Sequence, residues 1–201
     1  MMMRISRVIG LLHDPDFDNF RESAGPIKFY AIMKEAADRG TRNHFLFSKF
    51  FSSLSFTQAD AVTDQERADF LEPLIAWAKA NVLDVISIEE RFTNDKLGFT
   101  GKPDLNAVLC ATPERKEGPF MIEYKFTAKL PRFVRLQLAA QTLLKYGPGE
   151  CGGVCLHFRH ADGWHFKPHL FTGTQFDVDR YYFQYLLSIA NAFYVEKDFE
   201  S

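Results

Sequence analysis

Three side chains are of the right types, and close enough in sequence, to do chemistry together. They are Asp104, in Gly101-Lys102-Pro103-Asp104-Leu105, and Glu123 and Lys125, in Ile122-Glu123-Tyr124-Lys125-Phe126. In the second segment charged residues alternate with apolar ones. As a strand it turns Phe120, Ile122, Tyr124 and Phe126 to one face and Glu123 and Lys125 to the other. A carboxylate and an ammonium on a mostly buried strand need partners, because buried charge without them is costly. A divalent cation shared by Glu123 and by Asp104 from a neighbouring strand would be such a partner. Two carboxylates and water make a hard, oxygen-rich donor set suited to Mg²⁺ or Mn²⁺. An ion of that kind polarises a phosphate and lowers the pKa of bound water. Lys125 is then placed to orient that water or to stabilise charge on the phosphate oxygens. The plainer alternative is a surface ion pair between Glu123 and Lys125 beside an unrelated Pro-Asp turn.

The elements that must position these residues are legible in outline. Over residues 27–54 apolar side chains recur at helical spacing (Phe29, Ile32, Met33, Ala36, then Phe45, Phe47, Phe50, Phe51), with Gly40 as a point of division. Thr63-Asp64-Gln65-Glu66 has capping-box form and predicts a second helix through Leu71, Leu74, Ile75, Trp77 and Ala78. The period then changes. Residues 85–88 read as a strand, 94–98 as a turn and 99–110 as a second strand. A charged loop over 113–118 leads to the third strand, 119–126. A helix opens at Pro131 and stops at Gly147-Pro148. Val154, Leu156 and Phe158 alternate along a fourth strand, which Asp162-Gly163 turns into a hairpin. A last helix over about 177–194 carries Tyr182, Phe183, Leu186, Leu187, Ala190 and Phe193 as an apolar stripe. This order predicts an α/β or α+β fold with a central mixed sheet flanked by helices. The expected organisation is one domain, mainly helical over 1–82, with the sheet and terminal helix over 83–201.

Two further segments flank the central trio. Gly40-Thr41-Arg42-Asn43-His44 places a lone histidine in the first helical stretch. After the third strand, Arg135-Leu136-Gln137-Leu138-Ala139-Ala140-Gln141 puts Gln137 and Gln141 on one helix face with Lys145. Read in order, Gly-Thr-x-x-His, Gly-x-x-Asp-Leu, Glu-x-Lys and Gln-Leu-Ala-Ala resemble the RecB-like branch of the PD-(D/E)xK nucleases. The layout is similar to that of the mitochondrial genome maintenance exonucleases, including Ser6-Arg7-Val8, the Gly-rich strand, the Asp-Gly hairpin and the aromatic terminal helix. The resemblance covers most of the chain and implies a restriction-endonuclease-like core. It implies that Asp104 and Glu123 hold a metal ion together with the backbone carbonyl of Tyr124, that His44 is a further ligand and that Lys125 is the catalytic lysine. Gln137 takes the role of the helical glutamine beside that lysine and the DNA backbone. An acid on the first strand is also implied: Glu89, with Glu90 as its rival. The chain departs from the pattern where Gln141 replaces the usual tyrosine and where Phe126 separates Lys125 from Thr127.

Composition bounds the rest. With 46% hydrophobic and 25% charged residues the chain is of ordinary globular type, and its 21 Phe point to a core built on aromatics. The net charge of −2 speaks against a nucleic-acid partner only weakly, since acidic ligands offset a local basic face. Lys125, Lys129, Arg132, Arg135 and Lys145 follow one another with no intervening acid. Lys129, Arg132, Arg135 and Gln141 are therefore candidate nucleic-acid contacts, with a solvated helix face as the bland alternative. Three cysteines, Cys110, Cys151 and Cys155, give no disulfide framework and no cysteine-only cluster, so structural roles are expected. His157, His160, His165 and His169 crowd the terminal hairpin, where zinc is a minor alternative to sheet-surface histidines. No apolar run approaches a membrane span and residues 1–12 do not read as a secretory signal, so a cytoplasmic protein is expected. The expected activity is a Mg²⁺- or Mn²⁺-dependent DNA exonuclease, acting at ends or flaps in replication, recombination or repair, alone, as a homo-oligomer or with a protein partner. The competing expectations are a structure-specific endonuclease and a non-catalytic nucleic-acid-binding protein on the same fold.

Overall fold

A computed structural model describes residues 2–12, 14–53, 62–147 and 149–199. In chain order its elements are β1 (Met3–Arg4), α1 (Ile5–Ile9), α2 (Pro15–Ala24), α3 (Pro26–Ser53) and α4 (Asp64–Glu66). A π-helical turn (Arg67–Leu71) joins α4 to α5 (Glu72–Asn81). There follow β2 (Val82–Ile88), β3 (Phe92–Asn94), β4 (Phe99–Gly101), β5 (Leu105–Leu109), β6 (Gly118–Lys125), α6 (Val134–Lys145), β7 (Gly152–Ala161), β8 (Gly163–Phe171) and α7 (Gly173–Phe199). The fold is α+β, with mixed sheets flanked by helices. Among the described residues no helix is long and apolar enough to cross a membrane.

The main sheet has the order β2-β5-β6-β7-β8. Its pairs are antiparallel except β6 and β7, which run parallel, and α6 makes the crossover that a parallel pair requires. The alternation of β6 settles what each face packs against. Phe120, Ile122 and Tyr124, with Phe126 just beyond, join Phe47, Phe50 and Phe51 of α3, Phe70, and Phe158 of β7 in one buried cluster. Much of the phenylalanine content is used here: Phe126 and Phe158 stack with centroids 5.1 Å apart, and Phe47 lies 5.2 Å from Phe158. On the other face Met121 packs with Val134, Leu138 and Ala139 of α6 and Phe176 of α7. Burial on that scale contributes about 1.5–3 kcal/mol per large apolar side chain.

Several expectations are corrected. Gly40 does not divide the first helix, since α3 runs unbroken from Pro26 to Ser53. A helical glycine costs only about 1 kcal/mol, and the buried anchors Leu46, Phe47, Phe50 and Phe51 outweigh it. The expected end at Leu54 lies outside the described residues. The capping box is present, with Thr63 and Glu66 bonded reciprocally. The predicted strand over 99–110 is two strands in two sheets. Pro103 has no N–H to give a ladder, and at Lys102-Pro103 the chain leaves one sheet and enters the other. That other sheet, β1-β4-β3, was not foreseen. The crossover helix begins at Val134, three residues after Pro131, and the terminal helix begins at Gly173.

The second sheet carries the segment over residues 3–12 into place. β1 pairs in parallel with β4, matching Arg4 with Thr100. Met3, Ile5 and Val8 then pack with Leu136, Ala140 and Leu144 of α6 and Phe183, Leu187 and Ala190 of α7. Gly101 makes this approach possible. A Cβ there would stand 2.5 Å from Ile5 Cδ1 and 2.9 Å from Leu144 Cδ1. Gly101→Ala is therefore expected to cost about 1–3 kcal/mol by overpacking. Ile5→Val deletes the Cδ1 that the new methyl meets, so the double variant should recover part of that loss in denaturant titrations; strictly additive losses would count against the close approach.

Candidate active site

Asp104 stands where the chain crosses between sheets, one position before β5. The β5–β6 ladder ends with Leu105 opposite Ile122, so Asp104 lies beside Glu123 and its side chain meets the next backbone donor of β6. Tyr124 N–H donates to Asp104 Oδ2 at 2.8 Å. His44, reaching down from α3, places Nδ1 3.3 Å from Asp104 Oδ1. The His44 ring rests edge-on to Tyr124 and Phe126, which fixes its approach.

Glu123 is buried, at 4% exposure. Oε1 accepts from Lys125 Nζ at 2.6 Å and from Gln137 Nε2 at 2.7 Å, while Oε2 accepts from Gln141 Nε2 at 2.8 Å. The two glutamines are one helical turn apart on α6, so one helix face delivers both donors. Charge-assisted bonds of this kind are what make a buried carboxylate tolerable.

The electrostatics follow from crowding and burial. Desolvation first, and then the charge of Glu123, push the Asp104 carboxyl up to about 6, although His44 and the Tyr124 N–H pull the other way. Burial alone would lower the His44 imidazole, but its hydrogen bond to Asp104 and the nearby carboxylates leave it raised. Lys125 is likewise lowered by burial and raised by Glu123, and the carboxylate wins. The site therefore holds two carboxylates that repel each other in a poorly solvated place.

Of the two candidate acids at the end of β2, Glu89 is the one beside the site. It accepts from Ser48 Oγ at 3.0 Å and from Lys102 Nζ at 2.6 Å, and its N–H donates to the carbonyl of Asp104 at 3.0 Å. Burial would raise its carboxyl, but Lys102 and Ser48 hold it below the usual range. Its backbone is left-handed, with φ 47°, a conformation that non-glycine residues adopt at some cost. Glu90 is exposed. Ser48 and Lys102 were not singled out from the sequence, although Lys102 lies inside the Gly101–Leu105 motif.

The proposed nucleic-acid contacts divide. Lys129 is exposed, 3.9 Å from Asp16, and Arg132 lies over the Phe133 ring. Arg135 turns away from the Gln137 face to α7, where Nε meets Asp179 at 2.6 Å. Gln141 is 2% exposed and bonded to Glu123, so it supports the carboxylate, from the lining of the cleft on that side. The phase of α6 explains both placements, since Arg135 is two residues, half a turn, from Gln137, and Gln141 is the inner of the two glutamines. In the terminal hairpin His157 and His169 approach to 5.8 Å between centroids, but His157 is already bonded to the Thr127 carbonyl at 2.8 Å. Burial pushes the Cys151 and Cys155 thiols up to about 12, as suits structural cysteines.

Among the described residues no three His, Cys, Asp or Glu side chains converge to enclose a metal ion. Mg²⁺ does not require such a cage. It is commonly held by one or two carboxylates and keeps several waters. Asp104 and Glu123 fit that demand, and their mutual repulsion is what a cation would relieve. Two clefts open on the site. One, of about 600 Å³, is lined by Gly40, Thr41, His44, Glu89, Lys102 and Asp104. The other, of about 770 Å³, is lined in part by Arg4, Lys102, Lys125, Phe133 and Gln137.

A pH dependence of stability follows for metal-free protein. Because folding raises the Asp104 pKa from 3.8 to about 6, its contribution is intact below pH ~4 and is lost as pH rises through ~6. Asp104→Asn keeps an acceptor for the Tyr124 N–H and removes the charge. It should stabilise the protein by about 1–3 kcal/mol at neutral pH, with the gain vanishing below pH ~4. Thermal melts in EDTA across this range test it, and a variant less stable than the parent at neutral pH would contradict it.

No protein-family model matches this chain, and no curated protein matches it. Among solved structures it is similar to the crystal structure of SSO0001, at 12% identity and a TM-score of 0.44, covering 96% of this chain and 76% of that one. It is also similar to the crystal structure of an alkaline exonuclease, LHK-Exo, from Laribacter hongkongensis, at 12% identity and a TM-score of 0.33, covering 99% of this chain and 94% of that one. Likenesses this distant leave the reaction to be argued from the site's own residues.

Proposed function

We propose that this protein is a Mg²⁺- or Mn²⁺-dependent DNA exonuclease that hydrolyses phosphodiester bonds at ends or single-stranded flaps, in replication, recombination or repair. One observation carries the proposal: Asp104, just before β5, and Glu123 of β6 lie buried side by side, with Lys125 Nζ 2.6 Å from Glu123. A purely structural role for this group is hard to sustain, since buried like charges destabilise the fold that holds them. Asp104, Glu123, the backbone carbonyl of Tyr124 and His44 are the groups that would hold the ion. Such an ion supplies Lewis-acid polarisation of a phosphate and a more acidic bound water. The protein's own groups do the rest. Lys125, held as an ammonium by Glu123, places its charge toward the phosphate oxygens, where negative charge grows in the transition state. Gln137 and Gln141 keep Glu123 fixed, and Glu89, gripped by Ser48 and Lys102, is available as a further acid.

Asp104→Asn supplies the decisive test because it should fold at least as well as the parent. It is expected to lower cleavage of end-labelled DNA by at least ~10³-fold, the several kcal/mol that metal-assisted catalysis contributes. Lys125→Ala should cut the rate to a similar degree. EDTA should abolish activity, with Mg²⁺ or Mn²⁺ restoring it. Undiminished cleavage in EDTA, or by Asp104→Asn, would sink the proposal. Closed circular DNA separates the two modes of attack: an exonuclease leaves it intact, whereas an endonuclease nicks it.

A further inference from the structure

The cations that follow β6 in sequence are partly committed elsewhere, Arg135 to Asp179 and Lys129 beside Asp16. The cations that border the site come instead from three separated segments. Arg4 ends β1, Arg91 precedes β3 and Lys102 follows β4, and the small sheet β1-β4-β3 gathers them around the 770 Å³ cleft, whose lining also includes Lys125. One carboxylate, Asp14, lines the cleft with them. Arg4 and Arg91 are exposed, and among the described residues neither has an ion-pair partner. The remaining lining is largely apolar, with Ile9, Leu12 and Phe133. The cleft on the α3 side is different: it has one lysine, Lys102, against Glu89 and Asp104.

We propose that the 770 Å³ cleft is the seat of the substrate strand, with Arg4 and Arg91 on its phosphate oxygens and Phe133 against a base. The inference rests on the nuclease proposal above. With Lys102 already paired to Glu89 and Lys125 to Glu123, the guanidinium groups of Arg4 and Arg91, set against Asp14 alone, make the cleft attractive to an anionic backbone, and Lys125 in its lining joins it to Asp104 and Glu123. Guanidinium groups suit phosphate oxygens, which they grip with paired donors. An aromatic ring beside cations is the combination that binds unpaired nucleotides without reading sequence. The cleft's size also falls in the roughly 300–1,000 Å³ range of ligand-binding clefts. The phosphates concerned belong to a nucleic-acid strand, either as internal diesters or as a terminal monoester.

The test compares the full chain with Arg4→Ala/Arg91→Ala, and with Lys79→Ala/Lys116→Ala, two exposed lysines that line neither cleft. Binding of a fluorescein-labelled oligothymidylate is followed by anisotropy in EDTA between about 50 and 200 mM salt. The arginine variant should bind about tenfold more weakly at the low-salt end, with a log–log salt slope shallower by about 1.4, the value for two lost phosphate contacts on a single strand. The lysine variant should stay within about twofold of the parent, and Arg4→Lys/Arg91→Lys should fall between, since charge remains and the paired donors do not. Two oligonucleotides separate the phosphate sources. Equal losses with 5′-hydroxyl and 5′-phosphate ends indicate diesters, whereas a preference for the phosphorylated end that vanishes in the variant indicates a monoester. If the parent cuts DNA and the arginine variant binds and cuts as the parent does, this inference falls and the nuclease proposal stands. A parent that neither binds nor cuts overturns both.

Discussion

Glu123 is a charge that the fold must bury and then satisfy. It sits in the middle of the sheet, beneath α6, where water cannot solvate it, and an unpartnered carboxylate there would be prohibitive. Three donors answer it, Lys125 from its own strand and Gln137 and Gln141 from the helix above. The requirement constrains a good deal of the surrounding structure. It sets the rotation of α6, which must present two glutamines inward, and so decides that Arg135 faces α7. It also requires the parallel crossover that carries α6 over the sheet, and the aromatic packing of Tyr124 and Phe126 on the reverse face that keeps Glu123 and Lys125 on this one.

Asp104 poses the complementary problem, that of a carboxyl next to a charge already satisfied. Its partners, His44 and the Tyr124 N–H, do not offset burial and the repulsion of Glu123, and its carboxyl is left raised to about 6. The break at Pro103 puts it there. A continuous strand over 99–110 would have spread these residues along one ladder, whereas the step between sheets leaves Asp104 outside it, with its side chain free to cap β6. Strain is concentrated nearby, in the left-handed backbone of Glu89. Local cost and local charge thus coincide at one place in an otherwise well-packed molecule, the pattern expected where function competes with stability.

How much of this was legible in the sequence depended on periodicity. The alternation in β6, the capping box at Thr63 and the order of the main strands could be read because each repeats or carries a strong local signal. The proximity of His44, Asp104, Glu123 and Gln137 could be anticipated from their motifs. The second sheet could not, because its strands are only two and three residues long and show no period. Depth was equally hidden: Gln137 and Gln141 share a face, but nothing local says that Gln141 is the buried one. Arg4, Arg91 and Lys102 are brought together only by β1-β4-β3 pairing, so no stretch of sequence displays them as a cluster.

That small sheet also bears on how the molecule is made. Met3 and Arg4 pair with residues 98–100, and Met3, Ile5 and Val8 pack against Phe183, Leu187 and Ala190. Contacts that distant along the chain form late, since the intervening loop must be closed before they repay its entropy. On the ribosome, the contacts of Met3, Ile5 and Val8 with α7 must wait for α7 to emerge, after Asp104, Glu123 and Lys125 have been synthesised. The apolar support behind Arg4 is therefore completed only once the last helix is made, although the strand that pairs with it, β4, precedes every carboxylate of the candidate site except Glu89.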